Sequence, residues 1–138
     1  MSKPSKEFIS PKTLIAPGPA RYSHIAKVHH GTIVYLSGQV PSDASGNVVG
    51  EGDFDAQCLQ VFKNIEAALA SVGGNWENIV QFTTYLVHSQ DIPKFMEFRK
   101  RHFPGYFANG VYPPNTLLMI DRLVQEPFLV EVQTIAAL

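Results

Sequence analysis

A single cysteine, Cys58, leaves this 138-residue chain no partner for an internal disulfide, a usage that fits a reducing compartment. Cys58 lies in a row of apolar residues at helical spacing, which marks it as a packing thiol rather than a nucleophile. An excess of charge is lacking as well. Eleven Lys and Arg stand against twelve Asp and Glu, a net charge of -1, so there is no basic stripe to recruit nucleic acid. No apolar run approaches the roughly 18 residues that a membrane span needs. The polar start, Met-Ser-Lys-Pro-Ser-Lys-Glu, has no apolar stretch and predicts no signal peptide. Repeats and low-complexity tracts are missing too. The expectation is a soluble cytoplasmic protein with neither nucleic acid nor membrane as partner.

What is present is enough for one domain. The length allows about two-thirds of the unfolded surface to be buried, and nine Phe are available to fill a core. Residues 1–11, with two prolines and three serines, read as a flexible leader, and 12–138 as a single domain. Lys12–Ile15 is a candidate first strand. Ala16-Pro-Gly-Pro-Ala20 is a rigid connector, because proline fixes φ while glycine permits a turn. Ser23–Val28 and Thr32–Gln39 are β-rich runs flanking His29-His30-Gly31, the expected tip of a hairpin. A second turn falls at Asp43-Ala-Ser-Gly46, where Gly46 is placed for positive φ.

The first helix is marked at both ends. Asp53 is its N-cap, Asp55 adds charge to the first turn, and Gly73-Gly74 ends it. Cys58, Val61, Phe62, Ile65, Leu69 and Val72 recur at spacings of three and four and form one apolar face. Ile79–Val87, β-branched and aromatic, predicts a strand. A second helix follows, capped by Ser89 or Asp91 and stopped by Pro104-Gly105; Ile92, Phe95, the stem of Arg99 and Phe103 form its inner side. Strands Thr116–Asp121 and Phe128–Ala136 close the chain.

Strands mixed with two amphipathic helices predict an α+β fold, a mixed sheet with both helices on one face. In the last strand Leu129, Glu131, Gln133 and Ile135 share one face, while Phe128, Val130, Val132 and Thr134 share the other. Both faces are apolar enough to be buried. If the helices cover one, another subunit is the simple cover for the second.

Four segments carry a resemblance to a known family. Tyr112-Pro-Pro-Asn-Thr-Leu-Leu-Met-Ile-Asp-Arg-Leu123, with Leu129-Val-Glu-Val-Gln-Thr-Ile-Ala136, resembles the ending of the RidA/YjgF imine deaminases, also labelled endoribonuclease L-PSP. Tyr35-Leu-Ser-Gly-Gln-Val-Pro41 resembles their Leu-Ser-Gly-Gln-Ile-Pro strand, and Gln60–Leu69 their first helix. Gly18-Pro19 and Tyr22-Ser23 resemble their Gly-Pro-Tyr-Ser, with Ala20 and Arg21 inserted. The resemblance spans roughly residues 15–136. It implies a chorismate-mutase-like fold, a homotrimer around a central β-barrel, and one ligand cleft at each subunit interface.

The implied site follows position by position. Glu131 matches the catalytic carboxylate that positions water, Tyr22 and Ser37 match cleft hydroxyls, and the Leu117 carbonyl matches a backbone acceptor. Asn115-Thr116 stands where the family usually reads Arg-Ser, so the guanidinium that clamps a substrate carboxylate is replaced by a neutral amide. Met96 occupies a position where relatives often carry asparagine. Arg21, in the insertion, is the candidate replacement cation, set against its plainer reading as a solvated loop residue. Arg122 resembles a recurrent family arginine and reads as structural. Imine hydrolysis needs little beyond a carboxylate beside the C=N bond, and no cofactor. The five histidines show no metal-ligand spacing. The Gly-x-Gly at Gly50 and Gly52 lacks the strand-to-helix setting of a phosphate loop.

Three functions are thus in view. The leading one is deamination of small 2-imino acids or related imines, with altered substrate choice. The second is a non-catalytic trimer binding keto acids or other carboxylates in the same cleft. An endoribonuclease or translation inhibitor ranks last, for want of basic charge.

Overall fold

The computed structural model describes residues 5–138. Strand β1 is Ser5–Ile9, β2 Ile25–His30 and β3 Ile33–Gln39, followed by helix α1, Phe54–Ser71. Strand β4 is Ile79–Leu86, helix α2 Asp91–Tyr106, β5 Asn115–Met119 and β6 Val130–Ala137. Four strands make one mixed sheet in the order β3-β6-β4-β5, with β5 parallel to β4 and the other pairs antiparallel. The architecture is α+β, as the element order predicts.

The leader and the first turn come out differently. Ser5–Ile9, inside the expected leader, pairs antiparallel with β2 as a two-stranded ribbon, whereas Lys12–Ile15 is turn and coil. Residues 1–4 of that leader lie outside the described residues. The hairpin at His29-His30-Gly31 does not form, because β2 and β3 belong to different sheets. Gly31, at φ 132°, turns the chain in a conformation open to glycine alone. Thr32 is then captured by Leu138, each backbone N–H donating to the other's carbonyl at 2.8 Å, so β3 joins β6 at once.

Helix α1 starts where expected, with the Asp53 carboxylate accepting from the Ala56 N–H. Its inner face holds Phe54, Cys58, Val61, Phe62, Ile65 and Leu69, and also Gln57, a polar residue that the apolar spacing passes over. Helix α2 differs at both ends. Neither Ser89 nor Asp91 is the cap; Gln90 holds that position without a side-chain bond. The helix runs past Pro104 to Tyr106, because a proline so near the end forfeits a single N–H while Phe107 N still reaches Phe103 O at 2.8 Å. The continuation has a packing reason, since Tyr106 stacks on Trp76 with ring centroids 4.2 Å apart.

Both helices pack on one side of the sheet. Phe62 of α1 touches the rings of Phe82 in β4 and of Phe98, Phe103 and Tyr106 in α2. On β6 the even residues Val130, Val132, Thr134 and Ala136 are buried beneath the helices. The odd residues Glu131, Gln133 and Ile135 alternate to the other face. That face carries Ile33, Tyr35 and Leu118 exposed, and Tyr35 retains 75% of its surface. The helices therefore cover one face only. No helix among the described residues is long and apolar enough to cross a membrane.

Candidate functional site

The open face gathers the chemistry at one place. Across the β4–β6 ladder Tyr85 stands directly opposite Glu131. On the other side of β6, β3 slips its register between Leu36 and Gln39, a bulge that puts Ser37-Gly38 where one residue would normally fit. Gly38 leaves space there for the carboxylate as it lies, since a Cβ would be 2.0 Å from Glu131 Oε1. Glycine thus makes the room into which the carboxylate folds.

A hollow of about 390 Å³ opens above this point, lined by Gly38, Tyr85, Glu131 and Gln133 from the sheet and by Ile120, Arg122, Leu123 and Val124 from the segment after β5. Burial among these groups raises the Glu131 carboxyl above its usual range, and no other influence on it is resolved. A carboxylate half-removed from water, with no compensating donor among the described residues, is poised to take a proton or to hold a polar ligand. Arg122 is another lining residue. Its Nε donates to the Leu123 carbonyl at 3.0 Å, one terminal nitrogen to the Val124 carbonyl at 3.2 Å, and the other pairs with Glu126 at 2.6 Å.

The other residues singled out from sequence are distributed more widely. Ser37 lies in the bulge, on the exposed side of β3. Asn115 opens β5, and its amide oxygen accepts from the Thr84 hydroxyl at 2.8 Å, Thr84 being buried on the helix side. Thr116 alternates to the open face beside Thr83, and Leu117 packs against the core. Arg21 takes a left-handed φ of 55° and donates to the Pro19 carbonyl at 2.7 Å. It lines a separate hollow of about 420 Å³ with Pro19, Ala20, Met96, Glu97 and Lys100. Tyr22 packs edge-on against His24. Within one chain, then, Arg21 and Tyr22 do not line the Glu131 hollow.

Sequence reasoning missed Tyr85 and Gly38 among the hollow's residues. Tyr85 is placed opposite Glu131 by strand register, which no local pattern reveals. Gly38 had a signal, being the glycine of Leu-Ser-Gly-Gln-Val within a strand, where glycine often marks a bulge. Arg122, read as structural, lines the cavity and bonds to the carbonyls and carboxylate of its own loop. A further buried cation, Arg99 of α2, is engaged elsewhere: it donates to the Arg21 carbonyl and lies over the rings of Phe95 and Phe103. Burial, with the like charge of Arg21, lowers its pKa to about 10. Among the described residues no group of three or more His, Cys, Asp or Glu is arranged to hold a metal ion.

The chain as a whole has counterparts among known proteins. The family model described as endoribonuclease L-PSP matches residues 14–138. A RutC family protein of Saccharolobus solfataricus is 33% identical over 88% of this chain and 90% of its own. Protein DfrA of Myxococcus xanthus is 33% identical over 61% of this chain, a match spanning 64% of DfrA. The crystal structure of YyfB from Yersinia pestis, of the conserved Rid family, covers 96% of this chain and 98% of its own at 26% identity, with a TM-score of 0.86. The chain belongs to the RidA/YjgF family, the family of the endoribonuclease L-PSP model.

Proposed function

We propose that the protein hydrolyses small imines, with Glu131 as its general base. The observation that carries this reading is the Glu131 carboxylate itself, folded over Gly38 into a hollow, its pKa raised by burial. A water held by this carboxylate attacks the imine carbon and gives up a proton to Glu131 as the C=N electron pair moves onto nitrogen. Glu131 hands that proton to the nitrogen, which gives the carbinolamine; it then takes the hydroxyl proton as the carbonyl forms and delivers it to the nitrogen as the C–N bond breaks, so that ammonia leaves. One imine and one water become one carbonyl compound and one ammonia. A carboxyl with a raised pKa suits both halves, since the group that accepts a proton must also release it. No cofactor enters this chemistry.

Assembly belongs to the same proposal. The open face of the sheet, with Ile33, Tyr35 and Leu118 exposed, meets the same face of two further copies, forming a homotrimer around a barrel. A neighbour's Tyr22 and Arg21 then complete a cleft that a single chain leaves unfinished, with Ser37, Asn115, Thr116 and Leu117 along its walls. The protein acts in the cytoplasm, on metabolites rather than on nucleic acid.

The test is ammonia release from 2-iminopropanoate and 2-iminobutanoate generated in situ. The parent is expected to exceed the buffer rate, and Glu131→Gln to lose about a hundredfold or more, as for removal of a general base. A parent no faster than buffer that still binds 2-oxobutanoate would replace catalysis by the metabolite-binding reading. The neutral amide of Asn115, where the family usually carries arginine, gives that reading its weight, since it supplies no charge.

A further inference from the structure

We propose that the open edge of β2 pairs with the open edge of β3 in a second copy of this chain, so that each copy lends its β1–β2 ribbon to a neighbour. The inference goes beyond the deaminase reading and does not depend on it. Only two residues, Gly31 and Thr32, separate His30 at the end of β2 from Ile33 at the start of β3. A two-residue connection with glycine first is the sequence of a tight β-hairpin, so the two strands are written to pair with each other. Within one chain they do not. Among the described residues β2 pairs only with β1, and β3 only with β6. Gly31 stands at φ 132°, well away from the roughly +60° that such a turn requires at its first position.

Both edges need a partner. No residue of β1 or β2 is buried, and a two-stranded ribbon standing alone is marginal in water. Strand β3, Ile-Val-Tyr-Leu-Ser-Gly-Gln, has no charge and no proline to blunt an open edge. The reciprocal bonds of Thr32 with Leu138 fix which groups lie on that edge. Alternation turns Val34 and Leu36 toward β6 and aims the N–H and C=O of Ile33 and Tyr35 outward. The ribbon is meanwhile seated against its own chain. Phe8 shares a hollow of about 430 Å³ with Trp76 and Phe107, and Arg99 of α2 donates to the Arg21 carbonyl in the segment leading into β2. Folding the ribbon back on its own β3 would break these contacts, whereas pairing with a second copy keeps them. In the hairpin register His30 of one copy faces Ile33 of the other, and Val28 faces Tyr35, which is 75% exposed in the single chain. The same register carries Ile25 to the Ser37-Gly38 bulge, so a neighbour's Tyr22, three residues further along, arrives about 10 Å from it.

The experiment co-produces two full-length forms, Val28→Cys with an affinity tag and Tyr35→Cys without one, and oxidises them mildly with oxidised glutathione. Opposed positions on paired strands lie within disulfide reach, and the native Cys58 is buried. The expected result is a covalent pair of one tagged and one untagged chain on non-reducing electrophoresis, absent from either form alone. Tyr35→Cys chains linking to each other instead would show the open faces meeting without the edges, and overturn the proposal. So would the double variant Val28→Cys/Tyr35→Cys closing its disulfide only within one chain. A second measurement needs no new cysteine. Ile33→Pro removes an outward N–H that no described residue of the single chain engages, a change an open edge tolerates. Sedimentation should show self-association about tenfold or more weaker than in Ile33→Ala, the worth of a buried carbonyl left without its donor. Equal weakening in the two variants, or a parent without self-association at micromolar concentration, overturns the pairing. Cross-linking without ammonia release sinks the deaminase reading alone.

Discussion

A methyl group at position 38 would sit 2.0 Å from Glu131 Oε1 and 2.8 Å from its Cδ, so Gly38→Ala must push the carboxylate aside. The obstructing atoms are the far end of a flexible side chain, so the fold accommodates the change while the site does not. Displacing a catalytic group by an ångström costs about a hundredfold, and kcat in Gly38→Ala is expected to fall by about ten- to a hundredfold with the melting temperature nearly unchanged. Glu131 also leaves a signature in stability. Its folded pKa lies above the unfolded value, so the ionised form subtracts from stability at neutral pH. That cost vanishes as pH falls below the unfolded pKa of about 4.3, where both states are protonated. Glu131→Gln is therefore expected to melt higher than the parent at pH 7 and level with it near pH 4, by calorimetry at the two pH values. At this scale the sequence was partly legible. A lone carboxylate in an apolar strand announces itself, because burying it unpaired is costly. Its neighbours Tyr85 and Gly38 do not, because they arrive from two other strands through register and a bulge.

Among the elements, the loop into β6 is held by a residue that hydrophobic spacing hides. Gln57 is fully buried on the inner face of α1. Its amide nitrogen donates to the Gly50 carbonyl at 3.1 Å and to the Pro127 carbonyl at 2.8 Å, while its oxygen accepts from the Leu129 N–H at 2.7 Å. One side chain thus satisfies three backbone groups and clamps the approach to β6 two residues before Glu131. Gln57→Leu keeps the volume but orphans all three, and each buried unsatisfied group costs about 1–3 kcal/mol. The variant should lose about 3 kcal/mol or more in urea unfolding, and activity should drop with it as β6 loosens. The apolar face of α1 and its Asp53 cap were readable because capping and periodicity are local. The β1–β2 ribbon was not. Ser5–Ile9 is a strand only because β2 pairs with it, and Thr32 leaves β2 behind because Leu138 is there to receive it. Such partners lie 16 or more residues away and leave no trace in local composition.

The whole molecule is defined by an imbalance between the two faces of its main sheet. Phe62, Phe82, Phe98 and Phe103 fill the helix side, whereas on the other side Tyr35, Ile33 and Leu118 stay 75%, 40% and 43% exposed. The doubly apolar last strand made this face legible in advance, since alternation assigns residues to faces without saying what covers them. The proposed trimer would supply the cover and bring the Tyr22 loop of one chain toward the Glu131 hollow of the next, so on that proposal activity and assembly should be lost together. Tyr35→Glu is the sharpest way to separate the copies. It sets one carboxylate per chain into an apolar contact, where unpaired charge is strongly disfavoured, and like charges would then face each other around the axis. The side chain is exposed in the single chain, so the fold of each copy should survive, with an unchanged far-ultraviolet spectrum. In sedimentation equilibrium the parent is expected at three times 15.3 kDa, and Tyr35→Glu at the mass of one chain, with ammonia release reduced to the level of Glu131→Gln. A parent that sediments as a monomer at micromolar concentration yet still releases ammonia would show the Glu131 hollow to be complete in one chain, and the shared cleft would have to be abandoned.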